Sequence, residues 1–278
     1  MSKISEVLLE DIIGADIFGS MLKILTLNPT DPASKLYPVW EIATQLHTNI
    51  IVPVAACLMF IYFMIAIVDK LSGENFTWEQ LWRQMAMLLA SKFLIDNALV
   101  IMDTFYTIGL VFVNNIVDIQ GLNSGAAFND ISDDLIVGFK DNFDSGILKA
   151  LSEVLLVVFL FIPWLGAWIM RMAVIVICYT RLIELFLRTI FAPIALADFF
   201  HQGLQGAGWR YLKNYLAVCI QGAVLLCIGI VFSHLIVAIT MDEGNLFSYI
   251  GMVLAFTFSG VALMFKSLSF TRELLGTG

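Results

Sequence analysis

The stretch from Asn214 to Met241 contains no Asp, Glu, Lys or Arg and is composed mostly of apolar residues. A run of about 20 such residues is long enough to cross the hydrocarbon core of a membrane as a helix. Of the 278 residues in the chain, 60% are hydrophobic and only 14% are charged. Soluble domains are about 45–50% apolar and about 25% charged. The sequence therefore predicts an integral membrane protein.

Four more segments have the length and composition of membrane spans. They are Thr48–Val68, Phe93–Val117, Val154–Thr180 and Leu246–Phe265. Residues 5–26 place apolar side chains at helical intervals, which predicts an amphipathic helix on the membrane surface or against a partner. The predicted fold is thus all-α, a polytopic integral membrane protein with about five transmembrane helices plus an N-terminal amphipathic helix.

The polar segments divide the chain into four parts. Residues 1–36 are the amphipathic N-terminal segment, 37–118 the first two membrane spans, and 119–150 an acidic extracytoplasmic loop. Residues 151–278 are the last three membrane spans, with a cytoplasmic helical hairpin around 181–213. Nine Lys and Arg residues fall in segments on one side of this layout and five on the other. Because cytoplasmic loops are enriched in Lys and Arg, this predicts an outside N-terminus and a cytoplasmic C-terminus.

Six polar residues in and around the second predicted span follow one another at intervals of 4, 7, 4, 7 and 4 residues, which places them on one helical face. They are Lys92, Asp96, Asp103, Thr107, Asn114 and Asp118. Intramembrane carboxylates are costly and should face a bundle interior or a water-filled cavity. Three interpretations stay open: a hydrogen-bonded seam between helices, the polar lining of a conduit, or a proton site.

A second set of charged residues flanks the predicted hairpin as a candidate cytoplasmic mouth. Its members are Arg171, Arg181, Glu184, Arg188, Arg210 and Lys213. Glu184 is three residues from Arg181 and four from Arg188, so ion pairs along a helix that extends into the cytoplasm are one interpretation. A basic mouth that attracts an anionic substrate is the other.

Two further patterns concern partners. The predicted outside loop carries five aspartates as a candidate partner or cargo surface: Asp130, Asp133, Asp134, Asp141 and Asp144. Near the C-terminus, Gly251, Ala255 and Ser259 form a row of small residues at intervals of four. Such rows let helices approach closely. This row predicts helix packing within the chain or between copies.

Catalytic and metal-binding patterns are missing from the sequence. His47, His201 and His234 are far apart, no HExxH occurs, and there is neither a GxSxG motif nor a phosphate-binding loop. The four cysteines lie in apolar segments and form no CxxC pair. We therefore expect no enzyme activity, no catalytic residue, no metal and no cofactor. Energy for any transport would come from a partner or an ion gradient.

The text TRLIELFLRTIFAPIALADFF (Thr180–Phe200), a glycine-rich turn, and WRYLKNYLAVCIQGAVLL (Trp209–Leu226) follow one another. This text resembles the TrbL-like polytopic inner-membrane proteins of type IV secretion and conjugal transfer systems, in the branch found in Gram-positive mobile elements. The resemblance implies a homo-oligomeric ring in the bacterial cytoplasmic membrane, in contact with lipid. It also implies other type IV secretion components as partners, including ATPases, and DNA or protein cargo in transit rather than stably bound.

The resemblance assigns substrate passage to the central outside loop, here the acidic loop. Acidic residues repel phosphates, so we expect this loop to bind protein partners or to form a non-adhesive wall rather than to hold DNA. The leading hypothesis is a channel or scaffold subunit of a conjugation machine. The alternative is an ion- or proton-coupled secondary transporter that uses Asp96 and Asp103. Transporters commonly contain internal repeats, and none is visible in this sequence.

Overall fold

The computed structural model describes residues 16–71, 77–120, 149–198, 206–240 and 246–276. Within these ranges every regular element is a helix and no strand occurs, which confirms the predicted all-α membrane fold. The helices are α1 (Asp16–Leu25), α2 (Tyr37–Leu46), α3 (Val52–Leu71), α4 (Trp78–Asp96), α5 (Ala98–Gln120), α6 (Lys149–Ala197), α7 (Ala207–Thr240) and α8 (Leu246–Leu274). A π-helical segment, His47–Ile51, joins α2 to α3 without a break.

Three helical stretches in the described part of the chain are long and apolar enough to cross a membrane. They are Tyr37–Asp69, Ala98–Ile119 and Ala207–Val231. These stretches correspond to the first, second and fourth predicted spans. The third and fifth predicted spans lie within α6 and α8, where part of the side chains fall outside the described residues. The count of five spans stays a prediction.

The π-helical segment has a local cause in the sequence. Pro53 has no amide hydrogen, so it cannot donate the usual hydrogen bond to the carbonyl of Asn49, four residues earlier. The preceding amide, that of Val52, donates to the carbonyl of His47, five residues earlier. The turn is therefore wound more widely than an α-helix, while the Tyr37–Asp69 stretch stays continuous.

Helix α6 is longer than the sequence predicted. It has 49 residues, or about 74 Å at the helical rise, which exceeds the roughly 30 Å hydrocarbon core. A proline inside a helix usually breaks or kinks it, but α6 continues past Pro193 to Ala197. Pro193 is fully buried, and the carbonyl that it leaves without a backbone donor finds another partner, described below.

The second predicted span is interrupted where the sequence predicted a continuous helix. Helix α4 ends at Asp96, and Asn97 leaves the helical conformation with φ −101° and ψ 10°. Both the backbone amide of Asn97 and its side-chain Nδ2 donate to the carbonyl of Phe93, the latter at 2.8 Å. Such a local side-chain bond competes with regular helix geometry. The apolar span therefore begins at Ala98 rather than at Phe93.

The chain divides into two compact units, each with its own apolar core. The described residues of the first unit fall in 16–26, 112–180 and 222–267. In its core, Met21 and Leu25 of α1 are buried with residues such as Val113, Cys178 and Leu225. Helix α1 thus turns its apolar face to the chain itself, although the sequence predicted a membrane surface or a partner there. Residues 1–15 of the predicted amphipathic segment lie outside the described residues.

The second unit comprises the described residues of 27–111, 181–221 and 268–276. Its core joins Met59 of α3, Met102 of α5, Leu196 of α6 and Tyr215 of α7. All the buried polar contacts described next belong to this unit.

Candidate functional site

A chain of hydrogen bonds links the π-helical segment to α6 and α7. His47 is only 3% exposed, and its Nδ1 donates to the carbonyl of Thr189 at 3.0 Å. The Thr189 hydroxyl donates to the carbonyl of Leu185 at 2.9 Å and lies 3.0 Å from the hydroxyl of Tyr215. A proline at position 193 deprives the Thr189 carbonyl of its usual amide donor four residues later. His47 supplies a donor in its place, so this buried carbonyl is satisfied although α6 continues through Pro193.

Arg181 lies in the same unit and is 5% exposed. Its Nε donates to the carbonyl of Val218 and its Nη2 to the carbonyl of Cys219, both at 3.0 Å. The sequence placed Arg181 in a candidate cytoplasmic mouth, whereas the structure buries its side chain against helix carbonyls. A guanidinium has five donors, so helix carbonyls can satisfy it inside a bundle. Arg181 therefore ties α6 to the middle of α7 instead of facing an aqueous opening.

Helix α5 meets α7 at the carbonyl that Arg181 binds. A Cβ added at Gly109 would lie 2.6 Å from the carbonyl oxygen of Cys219 and 2.9 Å from its carbon. Side-chain carbon atoms essentially never approach so closely, so only glycine fits at this point. The signal in the sequence was an isolated glycine in an apolar helix, which is typical of close backbone approach. Sequence reasoning missed both this glycine and the role of His47.

Glu184 and Arg188 form the ion pair that their spacing predicted. Nη2 and Nε of Arg188 lie 2.6 and 2.9 Å from Oε1 of Glu184. Arg272 of α8, which sequence reasoning did not include, approaches the same oxygen at 3.6 Å. The Arg188 guanidinium also lies 6.0 Å from the ring centre of Tyr211, whose hydroxyl donates to the Arg188 carbonyl. This part of the candidate mouth is an ion-paired helix surface.

The other predicted mouth residues are not gathered with this pair. Arg210 is exposed on the first turn of α7. Lys213 is half-buried, with its Nζ 5.9 Å from the ring centre of Trp209. Arg171 is half-buried in the first unit. The structure therefore assembles only Glu184 and Arg188 from the predicted set.

The polar face predicted over residues 92–118 is split between two helices. Lys92 and Asp96 belong to α4 and pair with each other at 2.9 Å, with 61% and 49% of their side chains exposed. The remaining four members belong to α5. Asp103 is half-buried, and its Oδ1 is buried without a hydrogen-bond partner among the described residues. The interruption at Asn97 is the reason that the six residues do not share one helical face.

Apart from Asp103, the α5 members lie on a face that is exposed in the described part of the chain. Thr107, Asn114 and Asp118 are exposed, and Val111 between them is 52% exposed. Thr104, one turn earlier, is also exposed. We call this set the α5 stripe: Thr104, Thr107, Val111, Asn114 and Asp118. Their spacing of three and four residues puts them on one side of a helix.

Two predicted partner surfaces remain. The five aspartates of the acidic loop lie outside the described residues. Gly251, Ala255 and Ser259 are exposed on α8, and a Cβ added at Gly251 would meet no atom within 4 Å. In the described part of the chain, this small-residue row is not used for helix packing.

The family comparison covers more than half of the chain. The model of the family described as "TrbL/VirB6 plasmid conjugal transfer like protein" matches residues 23–193. The match begins in α1 and ends inside α6, so it includes His47 together with its partner Thr189. It also includes Gly109 and Arg181, but not the α7 residues that they contact. No curated protein and no solved structure matches the chain. Family membership implies a membrane component of conjugal transfer or type IV secretion. The chain therefore belongs to the TrbL/VirB6-like family of plasmid conjugal transfer proteins.

Proposed function

We propose that this chain is a channel or scaffold subunit of a conjugal transfer machine and helps DNA or protein cross the cytoplasmic membrane. The observation that carries the proposal is the α5 stripe, because it exposes polar side chains on a helix that can span a membrane. Polar groups in a membrane span belong against other protein or along a water-filled cavity. Copies of the chain arranged in a ring would supply either a neighbouring protein surface or a water-filled cavity for the α5 stripe.

The proposal places the chain in the bacterial cytoplasmic membrane, with its N-terminus outside and its C-terminus in the cytoplasm. The distribution of Lys and Arg among the segments supports this orientation. The chain itself is not an enzyme in this proposal. Partner ATPases of the transfer machine supply the energy, other type IV secretion components complete the machine, and the cargo passes without stable binding.

The first test is transfer between donor and recipient cells after in-frame deletion of the gene. We expect transfer to be lost and to return when the gene is supplied in trans. Expression of neighbouring genes is measured in the same strains, so that a polar effect of the deletion is recognised. Normal transfer in the deletion strain would contradict the proposed function.

The second test distinguishes a lumen from a seam at the α5 stripe. Asn114→Cys is made in a background in which the two exposed cysteines, Cys57 and Cys227, are serine. A lumen predicts labelling of this cysteine by a membrane-impermeant thiol reagent. A seam between copies predicts cross-linked dimers instead. Phe112→Cys, 50% exposed and two residues away on another side of α5, is the matched control and should give neither result.

If Asn114→Cys behaved like the control, the stripe would face lipid and the proposal would lose its main support. The labelling is therefore carried out in intact cells that are competent for transfer. The same cross-linking is also measured in cells that lack the partner components. If those components stabilise the ring, the cross-links between copies should be lost in these cells.

Asp103 supports a second candidate function, an ion- or proton-coupled transporter. A carboxylate that binds a proton or an ion transiently needs an oxygen that is not already hydrogen-bonded. The buried Oδ1 of Asp103 has no hydrogen-bond partner among the described residues. Asp96, the other aspartate of this hypothesis, is exposed and paired with Lys92. Uptake by the purified protein in liposomes, abolished by Asp103→Asn, would favour the transporter. Loss of DNA transfer without any uptake activity would exclude it.

A further inference from the structure

Two helices of the second unit each lack one regular backbone hydrogen bond, and both interruptions are caused by proline. In the Tyr37–Asp69 stretch, Pro53 follows the π-helical segment. In α6, Pro193 cannot donate to the carbonyl of Thr189. One side chain joins the two places, since His47 begins the π-helical segment and its Nδ1 lies 3.0 Å from that carbonyl.

Each interruption makes its helix easier to bend. Sharp bends in helices occur mostly at prolines and at π-helical turns, and π-helical turns are frequent at functional sites. The donor that replaces the missing amide of residue 193 comes from a different helix. A side-chain hydrogen bond therefore joins two bendable turns, in a buried site where Thr189 also bonds Leu185 and Tyr215.

We infer that the hydrogen bond from His47 to Thr189 is a releasable tie between two conformations of the chain. When it is formed, the π-helical segment and α6 have the arrangement of this structure. When it breaks, both helices can bend, at the π-helical segment and at Pro193. Passage of cargo uses both conformations. The inference rests on the proposed function for its transfer readout, but its stability readout is independent of that function.

The first experiment is a double-mutant cycle on stability in detergent. His47→Leu removes the donor and leaves the Thr189 carbonyl buried without one, so we expect the Tm to fall by about 2–4 °C. Pro193→Ala supplies an amide to that carbonyl. It should therefore raise the Tm more in the His47→Leu background than in the wild type. His47→Asn, whose side-chain amide can stand in for Nδ1–H, should stay close to the wild type.

Pro163→Ala is the matched control, because Pro163 lies in the same helix and the tie does not involve it. Its effect on Tm should be the same in both backgrounds. An equal effect of Pro193→Ala in both backgrounds would show that residues 47 and 193 are not coupled, and the inference would fail.

The second experiment measures DNA transfer with the same variants at matched expression. His47→Leu should lower transfer about tenfold. This factor corresponds to a destabilisation of the tied state by about 1.4 kcal/mol. The double variant His47→Leu, Pro193→Ala should regain stability while transfer stays low, because the carbonyl is then held by a permanent backbone bond. Recovery of transfer together with stability would show that the bond is only structural.

The two proposals fail in different ways. If deletion of the gene leaves transfer normal, the proposed function is wrong, and the stability cycle still tests the tie between His47 and Thr189. If deletion abolishes transfer but the two residues are uncoupled, the proposed function stands and the tie is wrong.

Discussion

Two sets of polar side chains in this protein have opposite surroundings. His47, Arg181 and Thr189 are buried, and each binds a backbone carbonyl of another helix or another polar side chain. The α5 stripe and the pair of Lys92 with Asp96 are exposed. Buried polar groups are expensive unless they are satisfied, so the buried set fixes how the helices pack. The exposed set lies on the surface of the described helices and fits contacts beyond the single chain.

This difference makes the buried set sensitive to substitution and the exposed set tolerant in a stability assay. In a transfer assay the α5 stripe should be sensitive as well, because in the proposed function assembly rather than folding depends on it. Comparing the two readouts at each position separates residues that hold the fold from residues that serve the machine.

The largest stability effect should come from Arg181. Arg181→Met loses two hydrogen bonds from a charged group to helix carbonyls, each of a kind that contributes about 1.5–3 kcal/mol. We expect the free energy of unfolding to fall by about 3 kcal/mol, measured by denaturant titration in detergent. Arg181→Lys should recover only part of this, because an ammonium lacks the planar fork of donors.

Arg210→Met is the matched control for this prediction. Arg210 is exposed at the start of α7, so its substitution should change stability by no more than about 0.5 kcal/mol. Equal effects at the two arginines would remove the distinction between a buried structural set and an exposed one.

The next largest effect should come from Gly109. Gly109→Ala places a Cβ against the backbone of Cys219, and overpacking of this kind costs about 1–3 kcal/mol. The same substitution at Gly251, where a Cβ would meet nothing within 4 Å, should be neutral or stabilising by up to about 1 kcal/mol, because alanine favours helices over glycine. Thermal unfolding of both variants in the same detergent checks the contrast. A Gly109→Ala variant as stable as Gly251→Ala would mean that α5 and α7 do not approach so closely.

Local patterns in the sequence predicted much of the fold. Apolar runs predicted the all-α membrane class, and a spacing of four residues predicted the pair of Glu184 with Arg188. Helical periodicity also predicted that Met21 and Leu25 share an apolar face, which the structure buries. Each of these features depends on residues close together in sequence, so the sequence contains the whole signal.

Features that depend on distant partners were not predictable. The acceptors of Arg181 lie 37 and 38 residues later on α7, and backbone carbonyls leave no mark in a sequence. Beside Pro193, the carbonyl of Thr189 is met by a side chain 142 residues earlier in the sequence. Asn97 interrupts a helical pattern that is otherwise regular on both sides. In each case, tertiary contacts or backbone bonding overrode the local pattern of charge, proline or periodicity.

The smallest stability effect should come from the pair of Lys92 with Asp96. Both side chains are about half exposed or more, and an exposed ion pair within one helix contributes about 0.3–0.5 kcal/mol. We expect Asp96→Asn to cost less than about 0.5 kcal/mol in thermal unfolding and the cost to shrink further in high salt, because salt screens exposed charges. Lys92→Gln should lower the stability by the same small amount, since each variant removes the same ion pair. A cost of several kcal/mol would place the pair in a water-poor environment, where removing one partner leaves the other charge uncompensated. It would then belong with the buried set, and the contrast between the two sets would have to be redrawn around the α5 stripe alone.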